Sequence, residues 1–151
     1  MEISGTIRTN CAPEVLVATL SDARAIDRLL PEGAKVEAAG EGRFGFTVSK
    51  TFGPIKLTLP GQMTLTQGEG PHDRRLVVRA AHVIGGKVDL DLVLKIEPLG
   101  EATRLSWSGA LEATGLAGRV AREHRGRIGT VVKGGFTRLK HIAEARAREG
   151  A

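Results

Sequence analysis

The chain holds four histidines and a single cysteine, Cys11. His82 closes an alternating stretch with Leu76, Val78 and Ala80, and His124 lies in a helical stripe with Val120 and Ile128. Both are therefore expected on interior faces. A neutral imidazole placed there can donate a hydrogen bond to a ligand carbonyl or carry a proton; the competing role is a core histidine bonded to backbone. Metal binding needs further donors, and no Cys, Asp or Glu stands at ligand spacing around either residue. A slip of one residue in strand register would turn His82 outward. Asp89 and Asp91 share one face of a strand, opposite Val88, Leu90 and Leu92, so they are expected on the solvated side. Acid/base work by such a pair would need a pocket that raises one pKa. Ser106 and Ser108 point away from the Trp107 face. The chain shows no nucleophile elbow, glycine-rich phosphate loop or zinc pattern.

The elements that must position these residues are legible from periodicity. Glu2–Arg8 alternates as a strand. Pro13 suits the first turn of a helix that carries Val15, Leu16 and Leu20, and Asp22 can cap a second helix over Ala23–Leu30, which Pro31 stops. Period two then takes over. Phe44, Phe46 and Val48 share a face, as do Leu57 and Leu59, Met63 and Leu65, and Val88, Leu90, Leu92, Leu94 and Ile96. Turns are expected at Gly40–Gly42, Phe52–Pro54, Gly68–Pro71, Gly85–Gly86 and Pro98–Glu101. Pro60-Gly61 is expected to bulge or bend its strand. Leu105, Trp107, Gly109 and Leu111 mark the last strand.

A continuous amphipathic helix is expected from about Leu116 to Arg146. Its apolar stripe would include His124, Ile128, Val131, Gly135 and Leu139, with Arg119, Arg122, Arg125, Lys133 and Lys140 on the other side. Gly126, Gly129 and Gly134-Gly135 are expected to kink it or to make room beside it. Strands followed by one long helix form an α+β pattern in a single domain, residues 1–151. One helix covers a long sheet only if the sheet curls around it, and the space so formed suits a ligand.

Composition agrees with an ordinary globular chain, 41% apolar and 26% charged, with few aromatics (3%) and 20 glycines. One cysteine excludes an intramolecular disulfide, and the sequence has neither a signal-peptide core nor a membrane-length apolar run. A cytoplasmic location is expected, with contact at the inner face of the membrane as an option. The net charge of +5 and the basic helix face favour an anionic membrane surface or an acidic protein partner. Nucleic acid fits less well, because aromatics do not interleave with the cations.

Taken together, several short motifs resemble the CoxG-like family of carbon monoxide dehydrogenase accessory proteins, within the START-like, birch-pollen-allergen-like superfamily. They are Met1-Glu2-Ile3-Ser4-Gly5, Ala12-Pro13-Glu14-Val15, Leu20-Ser21-Asp22, Leu30-Pro31-Glu32-Gly33, Thr51-Phe52-Gly53-Pro54-Ile55-Lys56, Pro60-Gly61-Gln62-Met63-Thr64-Leu65, Thr103-Arg104-Leu105 and Gly115-Leu116-Ala117-Gly118-Arg119. The likeness spans nearly the whole chain, although Glu32 separates a proline and glycine that are commonly adjacent in the family. It implies a helix-grip fold, a curved antiparallel sheet around a long C-terminal helix, with a hydrophobic cavity. It also implies an accessory role beside a molybdenum hydroxylase of the carbon monoxide dehydrogenase type, and carriage of a lipid-like or quinone-like molecule.

The leading expectation is therefore a non-enzymatic binding module with no cofactor. Phe44, Phe46, Leu57, Leu90, Leu92, Trp107, Ile128 and Val131 would contact the hydrophobic ligand, and His82 or His124 would orient its polar end. The alternatives are a small polyketide cyclase/aromatase-like enzyme or hydrolase using a cavity histidine, and an interaction module with a filled core.

Overall fold

A computed structural model describes residues 1–30, 34–52, 54–82 and 86–150, without the side chains of 50–52, 55–57 and 82. The chain runs β1 (Glu2–Thr9), α1 (Pro13–Leu20), α2 (Ala23–Leu29), β2 (Ala34–Gly40), β3 (Arg43–Phe52), β4 (Ile55–Gln67), β5 (Arg74–His82), β6 (Gly86–Leu99), β7 (Ala102–Thr114), α3 (Gly115–Glu123) and α4 (Arg125–Glu149). The strands form one antiparallel sheet in the order β1-β7-β6-β5-β4-β3-β2, so the first and last strands are neighbours. This is the expected α+β, helix-grip architecture.

Local chemistry accounts for the element ends. Pro13 opens α1, and Asp22 accepts the Arg24 N–H at 3.0 Å as the cap of α2. The Asp73 carboxylate accepts from the Gly70 N–H at 3.0 Å and the Ile96 N–H at 2.9 Å, which ties the β4–β5 turn to β6. Parts of the expected turns at Phe52–Pro54 and Gly85–Gly86 lie outside the described residues, as does Pro31.

Two expectations are corrected. Pro60-Gly61 does not bulge β4, whose register with β3 runs unbroken from Arg43↔Thr64 to Phe52↔Ile55. Pro60 is tolerated because pairing with β5 begins only at Gly61↔Ala80. Gly61 leaves room for the Phe46 ring, since a Cβ there would stand 2.3 Å from Phe46 Cζ. The C-terminal helix is also not continuous. It breaks at His124, whose φ and ψ are −113° and 25°. Gly126, Gly129 and Gly135 sit within α4, where a Cβ on any of them would meet open space, so none is needed to make room for a neighbour. Packing sets the break, because α3 lies on β6 and β7 whereas α4 lies on α1, α2 and β1.

The concave face carries the core. Leu94, Leu105, Leu139, Leu16 and Ala143 are fully buried, joined by Leu92, Ile96, Ile3 and Trp107. The convex face carries the charges. Arg75 and Arg79 of β5 pair with Asp91 and Asp89 of β6, which places both aspartates on the solvated side.

Candidate functional site: a half-exposed apolar floor

Cross-strand register arranges the concave side chains in rows. One row, Phe44–Met63–Val78–Leu90–Leu111, crosses five strands from β3 to β7. The next, Phe46–Gly61–Ala80–Val88–Ala113, lies nearer the α3 end of β7. In the opposite direction come Leu76–Leu92–Gly109–Ile3 and then Leu94–Trp107–Gly5. Burial changes along this order. Leu94, Trp107, Leu92 and Leu76 are buried, but Met63, Val78, Leu90 and Leu111 are only half-buried, as are Phe46 and Val88, while Phe44 and Ala80 in the same two rows are buried. From α4, Ile128 and Val132 pack against the same cluster.

At the boundary the indole of Trp107 stacks on Phe136 of α4, with centroids 4.4 Å apart and planes 24° apart. Beyond that stack Leu94, Leu105, Leu139 and Ala143 are fully buried. Before it, apolar side chains of five strands remain partly open, which is the informative departure from an ordinary core. Among the described residues these half-buried rows carry no titratable side chain. Grooves on the convex face differ. One of about 650 Å³ is lined by Glu2, Arg75, Asp91, Val93 and Ser108, where charges and hydroxyls are already paired or solvated.

The structure brings Phe44, Phe46, Leu90, Leu92, Trp107 and Ile128 onto the concave side. Phe44, Leu92 and Trp107 are buried there, whereas Phe46, Leu90 and Ile128 are half-buried. Leu57 and His82 have side chains outside the described residues. Val131 is corrected: it is 68% exposed and faces away from the sheet. His124 is corrected as well, standing exposed at the break between α3 and α4 rather than in an apolar stripe. Phe136 and Val132 had no place in the expected contact set. The signal was present, because Ile128, Val132, Phe136, Leu139 and Ala143 recur at spacings of four and three.

Of the remaining histidines, His72 Nε2 lies 3.2 Å from Glu14 and His141 Nδ1 lies 3.9 Å from Glu144. Cys11 is buried, and its thiol pKa is pushed up by that burial and, secondarily, by the Glu144 charge. It is therefore a poor nucleophile. Among the described residues no group of three His, Cys, Asp or Glu is placed to hold a metal, and no helix is long and apolar enough to cross a membrane.

A sheet gripping a C-terminal helix over an apolar floor defines the helix-grip class. The chain belongs to the polyketide cyclase/dehydrase and lipid transport family, whose model matches residues 1–144. None of the curated proteins matches it significantly. Solved structures do match. A conserved protein from Geobacillus kaustophilus is 17% identical with a TM-score of 0.78, over 95% of each chain. The Zhui aromatase/cyclase from a Streptomyces species is 14% identical with a TM-score of 0.63, over 97% of this chain and 94% of that one. The di-domain aromatase/cyclase StfQ of steffimycin biosynthesis is 16% identical with a TM-score of 0.61, over 97% of this chain and 52% of its own. At these identities the likeness establishes the shared fold.

Proposed function

We propose that the protein binds a hydrophobic, lipid-like or quinone-like molecule between the concave sheet and α4, as a carrier rather than a catalyst. One observation carries this reading: the half-buried side chains Met63, Val78, Leu90 and Leu111, which with Ile128 and Val132 of α4 pack against one buried apolar cluster. Completing the burial of such side chains is worth a share of the roughly 1.5–3 kcal/mol that each full burial brings. The family description, which includes lipid transport, supports the same class of ligand.

The aromatase/cyclase neighbours raise the enzymatic alternative. Against it, His124 stands exposed at the helix break, and the described floor offers no acid or base. The CoxG-like motifs support an accessory role beside a molybdenum hydroxylase. The exposed cations Arg119, Arg122, Arg125, Arg127 and Lys133 support contact with an anionic membrane surface; none takes part in an ion pair among the described residues.

Native mass spectrometry of protein purified without detergent tests the central reading. The expected result is a co-purified lipid or quinone, or uptake of added quinone. A clean apo mass with no uptake would refute the carrier reading and leave an interaction module with a filled core.

A further inference from the structure

The sheet ends in an edge at β2, whose strand partner is β3 alone. Among the described residues, no backbone–backbone hydrogen bond of β2 goes anywhere but to β3. α2 also packs on β2, yet Lys35 and the run from Glu37 to Gly40 stay exposed. Lys35 and Glu37 share the convex face: they stand opposite Thr47 and Gly45, whereas Val36 and Ala38 stand opposite Phe46 and Phe44 of the concave side. Thr47 and Gly45 carry no charge, and neither Lys35 nor Glu37 takes part in an ion pair among the described residues. A Cβ on Gly45 would meet open space, so no described group lies over this part of the face. Regular pairing of β2 runs from Ala34 to Ala38, and the register then shifts before Gly40. The regular stretch thus has Val36 at its centre and opposite charges one step to either side.

We infer that β2 pairs with β2 of a second copy of this chain, antiparallel and about a two-fold axis at Val36. An edge strand presents unpaired N–H and C=O groups that a further strand can satisfy, and a two-fold pair offers the same patch from both sides. With Val36 opposite Val36 of the second copy, Lys35 stands opposite Glu37 and Glu37 opposite Lys35, while Ala34 meets Ala38. Both cross-strand charge pairs then join opposite signs. Sliding the register by two residues either way sets Lys35 against Lys35 or Glu37 against Glu37. The charges therefore choose one register as well as one partner. The two seven-stranded sheets run edge to edge, with Phe46 of each copy beside the shared Val36 pair. Lys35 and the register shift after Ala38 are the features that keep such an edge from accepting strands at random. This inference is independent of the ligand-binding reading above.

Sedimentation equilibrium tests it with the wild-type chain, Lys35→Glu, Glu37→Lys, the double reversal, and a one-to-one mixture of the two single variants. The wild-type chain is expected to dimerise reversibly. Each single reversal sets like charges opposite each other at both pairs, and is expected to raise the dimer Kd about tenfold. The double reversal swaps the signs and should dimerise as the wild type does. The mixture is the sharpest arm. One variant is then acidic and the other basic at both positions, so the mixed dimer should form about tenfold more tightly than either variant forms with itself. Both substituted side chains are exposed, so folding of the variants is expected and is checked by circular dichroism. A wild-type chain that stays monomeric at about ten times the Kd of 10 μM typical of weak pairs, ~100 μM, overturns the inference. So does a dimer that neither single reversal weakens, which another surface must join, or a mixture that associates no better than its components. Should a single variant not fold, the wild-type chain and the double reversal decide: loss of the dimer in the double reversal overturns the pairing.

Discussion

Arg75 donates to Asp91 twice on the convex face, from Nε at 3.0 Å and from Nη2 at 2.5 Å. These bonds lower the Asp91 pKa below its ordinary value of 3.8, with Arg75 and then Arg79 adding favourable charge. The carboxylate is thus stabilised as an anion, the opposite of what a general acid needs. Because the folded pKa is depressed, the stabilisation is full above the ordinary aspartate value and is lost as pH falls through the lowered one. Asp91→Asn is expected to remove that dependence. The gap between wild-type and variant urea midpoints should narrow as pH drops below about 4, and salt should shrink it at neutral pH, as for any exposed pair. At this scale the sequence was readable wherever strand alternation decided the face, as for Asp91 and Trp107. It was less readable on the helix. Val131 and Val132 are adjacent and chemically identical, and only the direction in which the helix meets the sheet turns Val132 inward.

Among the described residues, polar groups tie down the C-terminal half of α4 but not its first half. Arg138 donates to the Leu29 carbonyl at 2.8 Å, and Arg146 donates to Asp22 at 3.0 Å. Glu144, 9% exposed, accepts the Asn10 N–H at 2.7 Å. Glu144→Ala leaves that donor unmet and is expected to lower unfolding stability by about 1–3 kcal/mol, read from urea denaturation. Glu144→Gln, which keeps an acceptor, should lose less. The split between α3 and α4 could not be read from the sequence. Helical spacing continues through His124, and the break arises because two segments of one amphipathic pattern bury against different partners. The strands were easier, since their period of two is imposed by a sheet with one wet face.

The whole molecule has a charge of +5, and exposed cations run from Arg119 to Lys133 along α3, which lies on β6 and β7, and the start of α4. Binding to vesicles containing phosphatidylserine, measured by co-sedimentation, is expected at low salt and should fall as ionic strength rises. Neutral phosphatidylcholine vesicles should capture little, and equal capture by both would separate the basic segment from any membrane role. The fold also has a temporal side. β1 finds its strand partner only in β7, with Ile3 opposite Gly109 and Thr9 opposite Thr103. A nascent chain therefore carries its opening strand unsatisfied until Ala102–Thr114 has been made, and that pairing is a long-range event. Folding of this small protein should be slow relative to helical proteins of its length, and an emerging chain halted before residue 102 would present a sticky edge to whatever chaperones surround it.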